Sequence, residues 1–319
     1  GFLVGFTGNA LWFSEPGQPH AWPTKYQRTV DYPIVGLGVF GNNILVATTG
    51  QPYILQGIDP FNMAVTKLES SHACMSRKSI VDLGDRVMYA SNLGLVSVSL
   101  QGAEWITRQL FTPDQWRTLN PSSIRGTSWE GRYLAFFNGS GDYIPSGAQA
   151  FSIVPGSVED GVSFYTQYGI TPLRDPYDSA VYFLDQTGAL LSWNTGSTTK
   201  TALWRSKLLQ TPNFVNFSFL QIHPEAYPIT ARLLSEEGDT AVFEATFSSY
   251  DHVSQQSSYT IKQFDDYGNQ TGYWAGTCLN DTIRLPAGRR SRYHTVEIST
   301  SVLCRALLLA QSSEEIASA

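Results

Sequence analysis

In this 319-residue chain, aspartates beside predicted turns are the side chains whose type could support acid–base catalysis. Two carboxylates that flank a bound sugar can hydrolyse a glycosidic bond, one as acid and the other as base or nucleophile. The candidates are Asp59, Asp82, Asp85 and Asp185. Each lies in or next to a turn, where Asp is favoured because its side chain bonds nearby backbone amides. We therefore expect these four residues to stabilise turns, and we assign no catalytic residue.

The histidines and cysteines show no spacing typical of a metal or redox site. Neither H-x-x-x-H nor H-E-x-x-H occurs among His20, His72, His223, His252 and His294. Cys74, Cys278 and Cys304 cannot all pair within one chain, and none belongs to a C-x-x-C motif. No G-x-S-x-G motif marks a nucleophilic serine. We expect buried thiols, no metal, no cofactor and no enzymatic activity.

A glycine pattern and an aromatic segment are the other candidates for binding. Gly36, Gly38 and Gly41 match part of a dinucleotide-type motif, but they lie between two strands, without the helix that would hold a phosphate. Aromatic residues crowd the first segment and could stack on sugars or bases: Trp12, Phe13, Trp22, Tyr26 and Tyr32. Trp12 and Phe13 occupy strand positions, so we predict that this segment belongs to a core.

One short sequence pattern, called the repeated phrase below, occurs five times and indicates the strands that would position the candidate residues. Each copy is an apolar strand that ends in a small polar residue shortly before a glycine. The copies are 10–14, 44–48, 87–91, 134–138 and 181–185. A strand that returns about every 40 residues is typical of β-propeller blades, which take roughly 40–50 residues each.

The sequence therefore predicts an all-β fold, a β-propeller of antiparallel four-stranded blades, with tandem β-sandwiches as the alternative. We expect clear blades over residues 1–212 and divergent closing blades over 213–319. The latter carry a polar insertion at about 248–272, which forms a long exposed loop or a lightly packed hairpin. Short helical turns are predicted at 59–63 and 112–116, because each has a capping residue followed by proline.

Composition narrows the classes of function. Only 15% of the residues are charged, and the net charge is −6, without a long basic tract beyond Arg289-Arg290. A sequence-specific nucleic-acid reader would usually present a concentrated basic face. A neutral or acidic protein surface would instead let DNA pass without binding it, because it does not attract the phosphates. No apolar stretch approaches the about 20 residues of a membrane-spanning helix.

Several scattered motifs resemble those of the tail nozzle, or tail tubular protein B, group of short-tailed bacteriophages. The matching segments are 13–23, 35–41, 51–53, 57–60, 74–79, 284–288 and 309–315. The resemblance implies a structural virion protein of the phage tail, without catalytic residues or a small-molecule substrate. It further implies a homohexameric ring that contacts portal, adaptor and other tail proteins. Such a ring forms a conduit that retains and then releases the genome, with transient non-specific contact to DNA.

Two other functions remain open on the sequence. One is a carbohydrate-binding or carbohydrate-hydrolysing β-propeller, in which Asp85 and Asp185 would act. The other is a scaffold propeller that captures partner proteins through the segment 248–272. The chain opens within an apparent strand at Gly1-Phe2 without an initiator Met, so we expect it to be part of a longer protein.

Overall fold

A computed structural model describes residues 1–141, 144–156, 161–197, 199–235, 241–287 and 290–318. Strands dominate these residues, and the chain divides into two compact units, Gly1–Thr195 (unit 1) and Gly196–Ala319 (unit 2). Two residues named in the sequence analysis lie outside the described residues: Gly288, which ends the motif 284–288, and Arg289 of the basic pair Arg289-Arg290.

Unit 1 consists of five antiparallel sheets that follow one another along the chain, and we call them blades one to five. Blades one and five have three strands and the others have four. Blade one contains β1 (Val4–Thr7), β2 (Ala10–Phe13) and β3 (Arg28–Thr29); blade two contains β4 (Ile34–Phe40), β5 (Asn43–Thr48), β6 (Tyr53–Gln56) and β7 (Ala64–Lys67). Blade three contains β8 (Val81–Asp82), β9 (Val87–Ala90), β10 (Leu95–Ser99) and β11 (Gly102–Trp105). Blade four contains β12 (Arg125–Trp129), β13 (Arg132–Phe136), β14 (Ala150–Ile153) and β15 (Val162–Tyr165); blade five contains β16 (Thr171–Arg174), β17 (Val181–Leu184) and β18 (Leu190–Ser192).

The repeated phrase is the second strand of every blade: β2, β5, β9, β13 and β17. Within each blade the strands pair in sequence order, which makes each sheet a meander. The first strands of successive blades contact each other, β1 with β4, β4 with β8, β8 with β12 and β12 with β16. A row of first strands with meanders leading away from it is the arrangement of propeller blades. The predicted all-β propeller fold with four-stranded blades is confirmed.

The hydrophobic core of unit 1 lies between neighbouring blades, and β9 shows why its sequence is continuously apolar. Val87 and Tyr89 pack against blade two, whereas Met88 and Ala90 pack toward blade four. Successive side chains of a strand point to opposite faces of the sheet. Because both faces of blade three are covered, all four side chains are buried, and the alternation expected of a half-exposed strand is lost.

Both predicted helical turns are present in unit 1. Thr112 caps helix α1 (Pro113–Thr118) through a capping box with Gln115, and proline occupies the first turn. Asp59 caps a single 3-10 turn, Pro60–Asn62. Trp116 of α1 is fully buried, and its indole Nε1 donates a hydrogen bond to the carbonyl oxygen of Ser91 at 2.8 Å. The helix is thereby anchored to blade three.

Unit 2 consists of two sheets with one core between them. Its strands are β19 (Ala202–Arg205), β20 (Leu209–Val215), β21 (Phe219–Pro224), β22 (Ile229–Ser235), β23 (Ala241–Asp251), β24 (Gln256–Phe264), β25 (Gln270–Leu279), β26 (Thr282–Arg284), β27 (Ser291–Thr300) and β28 (Cys304–Ala310). The large sheet has the order β19-β27-β22-β23-β24-β25, and β20 also pairs with β27. The small sheet has the order β26-β21-β28. Side chains of both sheets, among them Leu220, Phe243 and Ile283, form the shared core.

Three features of unit 2 differ from the sequence-based expectation. The compact units divide at 195/196, not at 212/213, because β19 and β20 pair with the distant strand β27. The strands form a seven-stranded and a three-stranded sheet, in place of further four-stranded blades. The chain end adds β28 and the short helix α2 (Ser313–Ser318) to the two strands that the sequence indicates.

The segment 248–272 is folded into strands and contains two successive hairpin turns, so the hairpin alternative describes it better than the loop. It contains the end of β23, all of β24 and the start of β25. Its side chains are polar because one face of this part of the large sheet is open to solvent.

Candidate functional site

The four candidate carboxylates are engaged within their own turns. Asp59 accepts a hydrogen bond from the backbone N–H of Phe61 at 3.0 Å, and Asp82 accepts one from Gly84 at 2.6 Å. Asp85 pairs with the adjacent guanidinium of Arg86, at 2.8 Å, which lowers the pKa of that carboxyl. A catalytic acid needs a raised pKa, so this contact works against such a role.

Asp185 closes the turn after the fifth copy of the repeated phrase. Its Oδ1 accepts hydrogen bonds from the hydroxyl of Thr187 and from the backbone N–H groups of Thr187 and Ala189. The Thr187 hydroxyl, followed by the backbone bond from Ala189, lowers the pKa of Asp185. Ser91 has the corresponding place in blade three and accepts from the N–H of Gly94 at 3.1 Å. In blades three and five, the small polar residue of the repeat therefore terminates the second strand and organises the glycine turn.

The glycine pattern at 36–41 serves blade packing. A Cβ on Gly36 would lie 2.6 Å from Cδ1 of Ile80, and one on Gly38 would lie 2.6 Å from Cγ1 of Val87. Both glycines therefore let β4 approach blade three closely. Gly41 has a φ of +54° in the turn between β4 and β5, a conformation that glycine adopts without strain. Packing and turn geometry thus explain all three positions.

The aromatic segment at the start of the chain is divided between core and surface. Phe13 and Tyr26 are buried in the cluster between blades one and two. Trp12 is half-buried, while Trp22 and Tyr32 are partly exposed.

Cys74–Ser79, one of the resemblance motifs, forms a junction segment that connects three blades. The N–H of Cys74 donates to the carbonyl of Thr48 at the end of β5, and the Ser76 hydroxyl donates to the carbonyl of Ile124 at 2.8 Å. The Ser79 hydroxyl accepts from the N–H of Ala90 at 2.9 Å. The motif is therefore structural.

Tyr133 of blade four completes this junction. Its hydroxyl donates to the Ser79 carbonyl at 2.9 Å. Burial raises the pKa of this tyrosine, so the hydroxyl stays protonated and remains a donor at physiological pH.

Histidines and cysteines do not converge on a common centre. Among the described residues, no group of three His, Cys, Asp or Glu side chains could hold a metal ion. Burial raises the pKa of the Cys74 thiol to about 12 and that of Cys278 to about 11, so both are protonated at neutral pH. Burial also lowers the pKa of His72 and of His294.

A wide cleft lies beside the start of α1 in unit 1. It is lined by Trp105, Arg108, Phe111 and Gln115, together with the backbone between them. None of the residues that line it is a carboxylate, so the cleft does not bring together the acid pair that sugar hydrolysis requires.

A row of five alternating charges crosses the large sheet of unit 2. Glu297 lies between Arg205, with Nε–Oε1 at 3.6 Å, and Arg232, with Nη1–Oε2 at 3.0 Å. Arg232 also approaches Glu244 at 3.5 Å, and Lys262 approaches Glu244 at 2.9 Å. The row lies at one register level of β19, β27, β22, β23 and β24. Sequence inspection missed it because these residues are distant in the chain and each resembles an ordinary surface charge.

The two outer edges of the same sheet expose large apolar side chains. On β19, Leu203 is 60% exposed and Trp204 is 55% exposed, and Phe214 on β20 is 67% exposed. On the opposite edge, Tyr273 and Trp274 of β25 are 57% and 43% exposed. Since neighbouring residues of a strand point to opposite faces, β19 and β25 are uncovered on both faces. We define these two edges, residues 202–215 and 270–279, as the candidate functional site.

No helix within the described ranges has both the length and the apolar character needed to cross a membrane.

Comparisons with known proteins found only low similarity, to solved structures. No family model matches the chain, and no curated protein matches it. The structure of BBS1N in complex with ARL6DN is 16% identical with a TM-score of 0.38, and 59% of each chain is covered. The WD40 domain of SCAP from fission yeast is 10% identical with a TM-score of 0.27, covering 95% of this chain and 70% of that one. Hsv2 of Kluyvelomyces marxianus is 11% identical with a TM-score of 0.30, covering 89% of this chain and 82% of that one. The fold assignment rests on the strand pairing of the chain itself.

Proposed function

We propose that this protein is a structural subunit of a ring-shaped assembly, a tail nozzle or connector of a tailed-phage virion, without enzymatic activity. The observation that carries the proposal is the pair of uncovered apolar edges of unit 2. Exposed apolar surface of this kind marks interaction sites in soluble proteins. The motifs that resemble tail nozzle proteins supply the class of assembly.

The packing of the blades in unit 1 is consistent with a rigid structural role in an assembly. A separate hydrophobic cluster lies between each pair of neighbouring blades, from blade one to blade five. Interlocked sheets resist deformation, because closely packed interiors transmit strain and do not yield locally. A rigid wall is what a conduit for packaged DNA requires.

The charge of the chain is consistent with such a conduit. A net charge of −6 at pH 7 repels phosphates, so DNA would slide past the subunit without being retained by it. We expect no measurable binding of the purified protein to duplex DNA at physiological salt.

Mass photometry and negative-stain imaging of the purified chain test the proposal. The expected result is a closed ring of discrete mass, with antibody labelling at the tail of virions from the encoding phage. A chain that stays monomeric from nanomolar to high micromolar concentration, and that is absent from virions, would contradict it. A glycan array serves as the control for the carbohydrate alternative, for which we expect no signal.

A further inference from the structure

The two outer edges of the large sheet in unit 2 are suited to pair with each other between copies of the chain. All neighbouring strands along the path β19-β27-β22-β23-β24-β25 are antiparallel. Because the path contains an even number of strands, β19 and β25 run in opposite directions. A second copy related by a rotation about an axis nearly parallel to the strands would therefore present its β19 antiparallel to β25 of the first.

Both edges leave backbone groups open to a further strand. β25 is ten residues long, and it contains neither a charged residue nor a proline. Soluble proteins usually protect an edge strand with charges, prolines or bulges, and an unprotected one pairs readily with another chain. Among the described strands, β25 pairs only with β24.

The rows of side chains across the sheet set a register for this pairing. Trp204 and Trp274 lie at the two ends of one row, through Ile298, Ala231, Ala245 and Ile261. Both tryptophans are on the face that packs into the core of unit 2. If the row continues into the next copy, the two exposed indoles meet as a cross-strand aromatic pair.

The row of charged residues also runs across the large sheet from one edge to the other. Arg205 and Tyr273 end the row that contains Glu297, Arg232, Glu244 and Lys262. In the continued register, the guanidinium of one copy meets the tyrosine ring of the other, a favourable cation–π arrangement. The tyrosine also separates Lys262 from the arginine of the next copy.

The two edges carry charges of opposite sign. Segment 202–215 contains Arg205 and Lys207 and no acidic residue. Segment 265–281, which comprises β25 and its flanking turns, contains Asp265, Asp266 and Asp281 and no lysine or arginine. In the register set by the tryptophan row, Arg205 and Lys207 face Tyr273 and Thr271, so these charges bias the orientation of approach and form no ion pair across the junction.

From these observations we propose that neighbouring copies of the chain join head to tail, with β25 of one subunit pairing antiparallel to β19 of the next. The expected register places Leu203 opposite Ala275 and Trp204 opposite Trp274. A heterologous junction of this kind repeats from subunit to subunit and generates a ring when the rotation between neighbours closes. It rests on the proposed function, because it specifies how the subunits of the assembly contact each other.

Cysteine cross-linking tests the junction directly, in a background with Cys304→Ser. Directly opposed residues of paired strands have Cα separations within the range of a disulfide. A mixture of Leu203→Cys and Ala275→Cys subunits should form a disulfide-linked dimer under mild oxidation, while neither variant alone should do so. The double variant should form a ladder of covalent oligomers up to the ring. The matched control pairs Leu203→Cys with Thr277→Cys, two residues out of register, and should not cross-link.

An independent measurement uses Trp274→Glu, with Tyr177→Glu as a control on a fully exposed aromatic residue of unit 1. Buried interface tryptophans are typical hot spots, so we expect the dissociation constant between subunits to rise at least about thirtyfold for Trp274→Glu. The control should leave it unchanged. Circular dichroism confirms that each variant is folded.

The results separate this inference from the function on which it rests. Rings that form without the 203–275 cross-link, and that keep their size in Trp274→Glu, would overturn the edge junction and leave the assembly proposal standing. A wild-type chain that forms no ring would overturn the proposed function itself. Cross-linking of Ala275→Cys alone would show isologous β25 pairing and would also overturn the head-to-tail junction.

Discussion

Replacement of Ser79 by alanine should destabilise the junction segment between blades two, three and four. Ser79 is fully buried, and its hydroxyl accepts a hydrogen bond from the N–H of Ala90 at 2.9 Å while it donates to the carbonyl of Ser76 at 2.7 Å. Alanine removes the acceptor, and Ala90, itself fully buried, has no water to replace it. The Ser76 carbonyl keeps its bond from the backbone N–H of Ser79. The main consequence is therefore one orphaned buried amide.

The magnitude follows from this single loss. A buried donor without an acceptor costs about 1–3 kcal/mol of folding free energy. For a unit of this size, each kcal/mol lowers the midpoint of thermal unfolding by about 2–4 °C. We expect Ser79→Ala to lower the midpoint by roughly 2–12 °C.

Hydrogen exchange measured by mass spectrometry gives the local readout, and calorimetry gives the global one. Peptides that contain Ala90 should exchange faster in Ser79→Ala, because the amide has lost its acceptor. The matched control is Ser122→Ala, which removes an exposed hydroxyl bonded to Asn120 and should change stability by less than about 0.5 kcal/mol. Equal stability of the two variants, with unchanged exchange at Ala90, would refute the assignment of the junction segment.

Three other perturbations test separate parts of the fold. Gly139→Ala should destabilise unit 1 by about 1–3 kcal/mol in urea unfolding, because its Cβ would collide with the backbone of Thr118; Gly196→Ala, which meets open space, should be nearly neutral. Glu297→Ala removes the most buried carboxylate of the charge row; because Arg205 and Arg232 are 47% and 37% exposed and can be hydrated once it is gone, it should cost about 1.5–3 kcal/mol. Glu225→Ala, in an exposed pair with Arg305, should cost less than about 1 kcal/mol. Burial lowers the pKa of His294 below 6.5, so the unfolded state binds the proton more readily and stability should fall as the pH drops below 6.5; His294→Gln should flatten this dependence in calorimetric scans from pH 7.5 to 5. A pH dependence that Gln leaves unchanged would argue against that origin.

The blades were predictable because their determinants are local. The apolar strand, the small polar residue and the glycine turn recur within a few positions, and both the hairpin geometry and the capping of α1 depend on near neighbours. Ser91 and Asp185 illustrate this, since the hydrogen bonds of their side chains stay within four residues along the chain. The same locality allowed the sequence to indicate a turn role for Asp59 and Asp82.

The large sheet of unit 2 was not predictable in the same way. Its central strand β27 pairs with β19, β20 and β22, which lie far away in the chain. Polar and half-exposed strands carry a weak pattern, so the segment 248–272, which contains β24 and the start of β25, could be either a loop or a lightly packed hairpin on the sequence. Nothing in the local sequence places Trp204 level with Trp274, or Glu297 between Arg205 and Arg232.

The sequence by itself determined that the chain is all β, where its blades repeat and which residues form the turns, because strand periodicity and turn chemistry act over short distances. Only the tertiary structure decided which strands became neighbours in unit 2, since strand pairing is settled by long-range hydrogen bonding and core packing. That pairing created both the charge row and the two exposed edges that carry the proposed assembly.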